Sequence, residues 1–406
     1  MNRNKAYKIR IYPNQRQTKQ INRTIGCCRF VFNQMLAERK EVYERLKADI
    51  ESLKSYQYKT EKQLKAKFPF LAASSSRALQ QSRINLERAY QNFFAKRSGF
   101  PKFKAKKKSA ESYREPQVNN FLQVRDGRIK LLKLGWVKLA YLPKDFTGQI
   151  KSVTVSRTKT NEYYVSILTE QELVLKKRES DDIIGLDLGL TAFCITSKGE
   201  FFQPIQATLR RLEKKVKFWH RKLSRQVKGS QRRERTRLKL NKVYEQMRRL
   251  QNHFGWHLAN KLCRENQAIS LESLAFGNLL KNRQLSHSIH LTNWGEFLSK
   301  LKQKAALYGT RLHFAPKFYA SSKTCYNCKE RKTEMSLAER EYECLHCGYI
   351  EQRDVNAALN LRNLIENSSE YGENRHREII RPKKLKFDFR GSFNEVLTKE
   401  RVHIWA

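Results

Sequence analysis

The chain has 406 residues, of which 83 are lysine or arginine and 39 are aspartate or glutamate, so its formal net charge is +44. This excess is too large and too widely spread for one membrane-binding patch, and it predicts nucleic acid as the partner rather than a membrane or a small-molecule substrate. Aromatic residues at 11% and apolar residues at 39% exclude a mainly disordered basic chain and favour several folded domains.

The amino-terminal sequence shows no sign of export. MNRNKAYKIRIYPN lacks the apolar core of a signal peptide, and the chain contains no run of about 18 apolar residues. We therefore expect a soluble cytoplasmic protein.

A strand and a basic helical segment are predicted first. KAYKIRIYP alternates apolar and polar residues, which is typical of a strand, and Pro13 ends it. Apolar residues then recur at helical spacing over residues 15–45 and 74–96, and the basic stretch PKFKAKKK follows. We assign residues 14–117 to a helical module.

A β module is predicted next, over residues 118–180. GRIKLLKLGWVKLAYL, IKSVTVSRT and EYYVSILTE each have strand composition, and turn signals separate them. We expect the strand within residues 1–13 to join this module.

The remaining segments predict an alternation of strands and helices. DIIGLDLGLTAFCITSKGEFF reads as two strands joined by a tight turn, AISLESL and TRLHFAPKF as strands, and TNWGEFLSKLKQKAALYG as a helix closed by Gly309. Residues 209–250 predict a helical hairpin joined near Gly229, in which basic residues far outnumber glutamates. A solvated helix face is one explanation, but the imbalance of charge favours a face that contacts phosphates. Residues 371–406 have weak periodicity and are expected to form a basic, disordered tail.

Eight cysteines fall into two sets. The first set is scattered among apolar or mixed segments and predicts buried free thiols: Cys27, Cys28, Cys194 and Cys263. The second set forms two C-x-x-C pairs, which is the ligand spacing of a zinc ribbon: Cys325, Cys328, Cys344 and Cys347. Four protein ligands leave no open position on the metal, so we expect one structural Zn²⁺ in an insert over residues 321–349; unliganded reduced thiols are the alternative.

Three acids occupy positions where a carboxylate needs compensation. Asp187 and Glu272 lie in or at the end of apolar strands, and Asp354 begins a helix that contains small alanines. Taken singly, they could be a turn residue, a surface acid at a strand end and an acid favoured by the helix dipole. Together they predict an RNase H-like sheet whose carboxylates converge on two Mg²⁺ ions, since hard cations prefer oxygen ligands.

At these residues the chain resembles the TnpB family, transposon-encoded RNA-guided DNA nucleases related to the type V CRISPR effectors. The resemblance covers most of the chain in a fixed order: KAYKIRIYPN, ALQQSRINLERAYQNFF, GFPKFKAKKKSAESYR, IIGLDLGLTAF, AISLESL, SSKTCYNC and CLHCGYIEQRDVNAALNL. Two departures are visible, because Lys329 stands where a glycine commonly follows the second cysteine and Gln352 where the family often has aspartate.

The resemblance implies a multidomain α/β and α+β architecture. Its parts are a RuvC-type, RNase H-like nuclease domain (181–320 and 350–370), a zinc-ribbon insert that binds target nucleic acid (321–349), a β-barrel-like wedge domain (1–13 and 118–180) and a helical recognition domain (14–117). Asp187, Glu272 and Asp354 would be the catalytic, Mg²⁺-binding acids.

The resemblance also implies an activity and partners. The protein would use a guide RNA from the transposon end and cut double-stranded DNA beside a short transposon-adjacent motif, at the nucleoid of a prokaryotic cell. Arg77, Gln80 and Asn119 are candidates for reading base edges, with polar surface residues or phosphate contacts as the alternative. The residues expected to contact phosphates are Lys102, Lys104, Lys106, Lys107 and Lys108.

Two other functions are compatible with parts of the sequence. A nuclease-inactive, RNA-guided repressor would lack one of the acids, whereas all three are present. A transposase that acts alone would also use three acids on an RNase H-like sheet, but it would need no guide RNA.

Overall fold

The computed structural model describes residues 2–106, 111–172, 174–203, 206–273, 286–336 and 339–367. The chain divides into two compact units on either side of residue 173. Within the ranges described, no helix has both the length and the apolar character needed to cross a membrane. Lys107, Lys108 and the predicted tail, 371–406, lie outside the described residues.

The first unit contains a seven-stranded antiparallel sheet in the order β2-β6-β7-β1-β5-β4-β3. Its strands are β1 (Asn2–Tyr12), β2 (Glu111–Pro116), β3 (Gln123–Arg125), β4 (Arg128–Leu131), β5 (Gly135–Leu139), β6 (Gln149–Arg157) and β7 (Tyr163–Glu172). The amino-terminal strand β1 lies at the centre, between β7 and β5.

Two details of this sheet differ from the sequence expectation. Strand β2 lies within the segment expected to be helical, and it pairs with β6 at the edge of the sheet. Strands β4 and β5 divide a segment expected to be one strand, because Lys133 turns the chain with φ 61° and Leu134 N–H closes the turn on the Leu131 carbonyl at 3.2 Å.

Four helices lie between β1 and β2. They are α1 (Gln15–Leu46), α2 (Ile50–Ser55), α3 (Glu61–Lys67) and α4 (Ser76–Phe94), with a 3₁₀ turn at Pro69–Ala73. Helix α1 begins at a capping box, in which Asn14 and Gln17 each accept a hydrogen bond from the other's backbone N–H. Cys27 and Cys28 are buried free thiols in α1, as predicted, and burial raises the pKa of Cys28 to about 12.

The second unit contains a mixed five-stranded sheet in the order β10-β9-β8-β11-β12. Its strands are β8 (Asp182–Asp187), β9 (Cys194–Thr196), β10 (Phe201–Phe202), β11 (Asn266–Leu271) and β12 (Arg311–Phe314). The first three are antiparallel, whereas β11 runs parallel to β8 and β12 runs parallel to β11.

Helices and a small hairpin complete this unit. They are α5 (Gln206–Ser224), α6 (Gln231–Glu265), α7 (Ser286–Thr292), α8 (Trp294–Tyr308), α9 (Arg353–Glu366) and the paired strands β13 (Glu341–Glu343) and β14 (Ile350–Gln352). Helices α5 and α6 form the predicted basic hairpin around Gly229, and α8 ends at Gly309 with φ 69°. Cys194 and Cys263 are buried free thiols, as expected.

Helix α9 packs directly on the backbone of β8. A Cβ atom placed on Gly185 would lie 1.8 Å from the Ala358 carbonyl oxygen and 2.7 Å from the Arg362 nitrogen. Only glycine fits at this contact, since real Cβ atoms do not approach backbone so closely. The side chains at 357 and 358 are small and fully buried, which lets the helix approach the sheet.

Gly185→Ala should therefore destabilise the second unit by about 3 kcal/mol, because the helix must move away from the sheet. Gly26→Ala is a matched control within α1, where the added Cβ has no neighbour within 4 Å apart from the adjoining residues and the backbone of its own helix, and it should stabilise the protein by up to about 1 kcal/mol. Denaturant unfolding measures both, and an unchanged midpoint for Gly185→Ala would contradict the close packing.

Candidate functional site

Asp187 and Glu272 occupy equivalent positions on adjacent parallel strands. Asp187 is the last residue of β8, and Glu272 follows Leu271 at the end of β11. The register pairs Leu186 with Leu271. Asp187 and Glu272 are the next residues on these two strands, so both lie at the same edge of the sheet. Neighbouring strands are about 4.8 Å apart, which places the two carboxylates side by side.

Asp354 reaches the same edge from α9. It is the second residue of the helix, and Val355 beside it packs in one cluster with Ile195 of β9 and with Ala192, which precedes that strand. The charge of Asp354 acts directly on Asp187, as described next. The structure therefore brings together three acids that are far apart in the sequence.

The pKa of Asp187 reflects the proximity of the other two acids. Burial, together with the charges of Glu272 and Asp354, raises the pKa of Asp187 to about 8, while Arg353 opposes them. A divalent cation would stabilise the charged form of Asp187 beside the other two acids. The residues present thus fit a cation site.

The three carboxylates are spaced more widely than the ligands of a single ion. Among the described residues, the four cysteines alone form a group of three or more ligand side chains whose donor atoms all lie within 4.8 Å of one another. The ligands of two cations about 4 Å apart are spread over a larger distance than those of one cation, so the spacing of these acids is compatible with a pair of ions.

The four cysteines form a compact sulfur cluster. The Sγ atoms of Cys325 and Cys347 are 3.7 Å apart, and those of Cys328 and Cys344 are 3.5 Å apart. These distances exceed the 2.05 Å or so of a disulfide and match the edge of about 3.8 Å expected for four sulfurs around zinc. The cluster fits a zinc-binding site, as the spacing predicted.

The two cysteine turns repeat the same hydrogen bonds. Cys325 N–H donates to the Glu330 carbonyl and its own carbonyl accepts from Lys329 N–H; the second turn, from Cys344 to residue 349, has the same two bonds. The equivalent residues Lys329 and Gly348 have φ 64° and φ 70°. A left-handed backbone favours glycine, which is the residue that the resemblance leads us to expect at position 329.

Buried amides attach the cysteine module to α9. Asn356 accepts a hydrogen bond from Tyr326 N–H at 3.0 Å and donates to the Thr324 carbonyl at 2.9 Å. One turn later, Asn360 donates to the carbonyls of Ser321 and Thr324 at 3.0 and 2.6 Å. The module is therefore held to the helix that carries Asp354.

Ser321 connects the module to a second acid. Its side chain is buried, and its hydroxyl donates a hydrogen bond to Glu272. Sequence reasoning missed Ser321, Asn356 and Asn360. The two asparagines had a detectable signal, because polar residues spaced by four in an apolar helix require buried partners.

The predicted nucleic-acid contacts lie in the first unit. Arg77, Lys102, Lys106 and Asn119 are exposed, and Gln80 is half-buried and accepts a hydrogen bond from Arg77 at 3.4 Å. Lys104 differs from the others. Its ammonium lies 3.8 Å from the centre of the Phe32 ring, and its backbone N–H and carbonyl form hydrogen bonds with the Asn33 side chain. Burial lowers the pKa of Lys104.

Three family models match this chain. One described as "Cas12f1-like, TNB domain" matches residues 294–361, one described as "Helix-turn-helix domain" matches residues 1–47, and one described as "Probable transposase" matches residues 166–283. The second match covers β1 and α1, which here are a strand followed by one continuous helix.

Two relatives match over most of their length. A Streptomyces pristinaespiralis protein provisionally named an RNA-guided DNA endonuclease is 32% identical over 363 residues, 88% of each chain. InsQ of Escherichia coli (strain K12), provisionally named likewise, is 31% identical over 376 residues, 89% of this chain and 92% of that protein.

The fold also matches a solved structure. The cryo-EM structure of a Cas12f1–sgRNA–target DNA complex has a TM-score of 0.56 at 14% identity, covering 89% of this chain and 99% of that one. The fold is thus that of the multidomain α/β nucleases of the TnpB and Cas12 type. With the sequence relatives, this confirms the resemblance: the chain belongs to the TnpB family of RNA-guided DNA endonucleases.

Lys329→Gly should stabilise the cysteine module by about 0.5–1 kcal/mol, because glycine adopts the left-handed backbone without steric cost. Gly348→Ala is the matched control at the equivalent position, where no atom lies within 4 Å of the added Cβ, and it should destabilise by a similar amount. Melting temperatures of zinc-loaded protein measure both, and shifts of the same sign would refute the comparison.

Asp187→Asn should stabilise the metal-free protein at neutral and alkaline pH. Between pH 4 and 8 or so, the unfolded chain loses the Asp187 proton while the folded chain, with a pKa of about 8, keeps it. Wild-type stability therefore falls as pH rises through this window, by at most about 1.4 kcal/mol per pH unit from this group. The difference in stability between Asp187→Asn and wild type should grow with pH and level off above pH 8 or so.

Asp182→Asn, at the start of the same strand, is a control for which we expect the opposite change in stability. A hydrogen bond from Lys198 holds the pKa of Asp182 below its usual range, so this variant should lose stability at neutral pH. Melting curves in EDTA at several pH values test both. A pH-independent difference between Asp187→Asn and wild type would exclude the raised pKa.

Proposed function

We propose that the second unit is a RuvC-type, RNase H-like nuclease domain that binds two Mg²⁺ ions through Asp187, Glu272 and Asp354. The observation that carries the proposal is the placement of two acids at the carboxyl ends of adjacent parallel strands, with the third on the helix that covers them. Three antiparallel strands followed by two parallel ones support the RNase H-like assignment.

The chain's own groups prepare this centre for phosphodiester hydrolysis. Bound divalent ions supply an activated water and stabilise the charge on the leaving oxygen. A bound cation would favour loss of the Asp187 proton, because it would offset the charges of Glu272 and Asp354, which raise the pKa of Asp187 in addition to burial. Ser321 fixes the orientation of Glu272 through its hydroxyl.

The partners that the proposal assigns are a guide RNA from the transposon end and double-stranded DNA beside a transposon-adjacent motif. The names of the relatives and the RNA and DNA in the Cas12f1 complex support them. The formal net charge of +44 suits a chain that holds two nucleic acids, since binding releases their counterions.

The first unit would recognise the nucleic acids. We assign the seven-stranded sheet to the wedge domain and α1–α4 to the recognition domain, with Arg77, Gln80 and Asn119 as candidates for reading the flanking motif. The exposed Lys102 and Lys106 would contact phosphates. One Zn²⁺ held by the four cysteines would stabilise the insert that binds target nucleic acid.

The decisive test uses the purified protein with guide RNA, Mg²⁺ and a matched DNA target. Wild type should cut, and Asp187→Asn, Glu272→Gln and Asp354→Asn should each reduce cutting at least a hundredfold while target binding persists, since each removes a metal-binding carboxylate. Asp182→Asn is the control acid outside the centre. Undiminished cutting by Asp187→Asn would refute the site.

Two further measurements separate the alternatives. Sequencing RNA that copurifies with the protein should return a transposon-end transcript, whereas strand transfer without RNA would indicate a transposase that acts alone. Cys344→Ser should lower the zinc content measured by mass spectrometry, and an unchanged zinc content would refute the proposed ligand set.

A further inference from the structure

Phe318 combines two features that are unfavourable in a free protein. Its side chain is 99% exposed, so its apolar surface contributes nothing to the core. Its backbone has φ 65°, in the left-handed region that bulky residues rarely adopt. Neither feature stabilises the fold, so Phe318 is a candidate for a functional contact.

The strain arises from a tight turn. Tyr319 N–H donates to the Pro316 carbonyl at 3.2 Å, and Phe318 is the third of the four residues. Glycine or asparagine usually occupies a third turn position with positive φ. The turn therefore presents a phenyl ring to solvent where the backbone favours a glycine.

This turn is attached at both ends to the strand that leads to Glu272. On the amino side, Ala315 N–H donates to the Leu271 carbonyl at 2.8 Å. On the carboxyl side, the Ser321 hydroxyl donates to Glu272 itself. Phe318 therefore lies at the tip of a short loop whose two ends lie beside the nuclease centre.

The neighbouring residue suits a nucleic-acid strand. Lys317 is exposed beside Phe318, so the tip offers an aromatic face next to a cation. Proteins that hold single strands combine these two elements, since bases stack on the ring and phosphates contact the cation.

We propose that Phe318 is a stacking platform for an unpaired base of the DNA strand at the nuclease centre, with Lys317 on a neighbouring phosphate. This inference rests on the proposed nuclease function and adds a substrate contact to it. Stacking would hold the strand beside the carboxylates without sequence preference, because every base has a flat face.

The test of stacking needs no guide RNA and no cutting. Single-stranded DNA that carries 5-iododeoxyuridine should cross-link to Phe318 on irradiation, with the site mapped by mass spectrometry. Phe318→Leu should lose this cross-link. A cross-link that maps elsewhere, or that survives in Phe318→Leu, would overturn the proposal.

Cutting is then compared in the complex of protein, guide RNA and matched target under single-turnover conditions. Phe318→Leu keeps an apolar side chain without a ring and should cut about tenfold more slowly, and Phe318→Trp should cut about tenfold faster than Phe318→Leu. If Phe318→Leu cuts like wild type, the ring is not a platform. Failure of wild type to cut would count against the nuclease function, whereas the cross-linking result would still stand.

Phe318→Gly separates a binding role from a structural one. It should raise the melting temperature by relieving the turn, yet it should slow cutting at least as much as Phe318→Leu. Lys133→Gly is the matched control for stability, since Lys133 is the third residue of a similar turn with φ 61°, and it should likewise raise the melting temperature. If Phe318→Gly lowers the melting temperature and cutting together, Phe318 has a structural role and the proposal fails.

Discussion

The geometry of the candidate centre depends on the close approach of the α9 backbone to Gly185. Asp187 lies two residues beyond this contact on β8, about 7 Å along the strand, and Asp354 lies four residues before Ala358 on α9, about 6 Å along the helix. These similar distances bring the two acids to one level at the edge of the sheet. A side chain at residue 185 would move the helix and separate the carboxylates.

The cysteine module is linked to this centre through hydrogen bonds. Asn356 and Asn360 hold its first turn against α9, and Ser321 connects it to Glu272. Removing any one partner would leave a buried polar group unsatisfied, which costs about 1–3 kcal/mol. The module is therefore hydrogen-bonded to the helix that carries Asp354 and to Glu272 itself, so a structural change in the module would reach both acids.

Several residues reduce stability where function is proposed. Asp187 resists ionisation in the folded protein, and Phe318 is exposed on a strained backbone. The two proposals assign a ligand to each residue, a cation to Asp187 and a nucleobase to Phe318. Lys329 is also in the left-handed region, and the equivalent Gly348 shows that a turn of this kind accommodates glycine.

The sequence by itself determined the local features of this protein: its basic character, most helices and strands, the two cysteine pairs and three acids in costly positions. Each of these follows from composition, periodicity or short spacing. It did not reveal β2 as a strand or the turn at Lys133. Strand pairing, the Gly185 contact and the hydrogen bonds of Ser321, Asn356 and Asn360 were decided only by tertiary structure, because each joins residues far apart in the chain and no local pattern encodes their distance. The exposure of Phe318 was also decided there, because it depends on which other segments cover the ring.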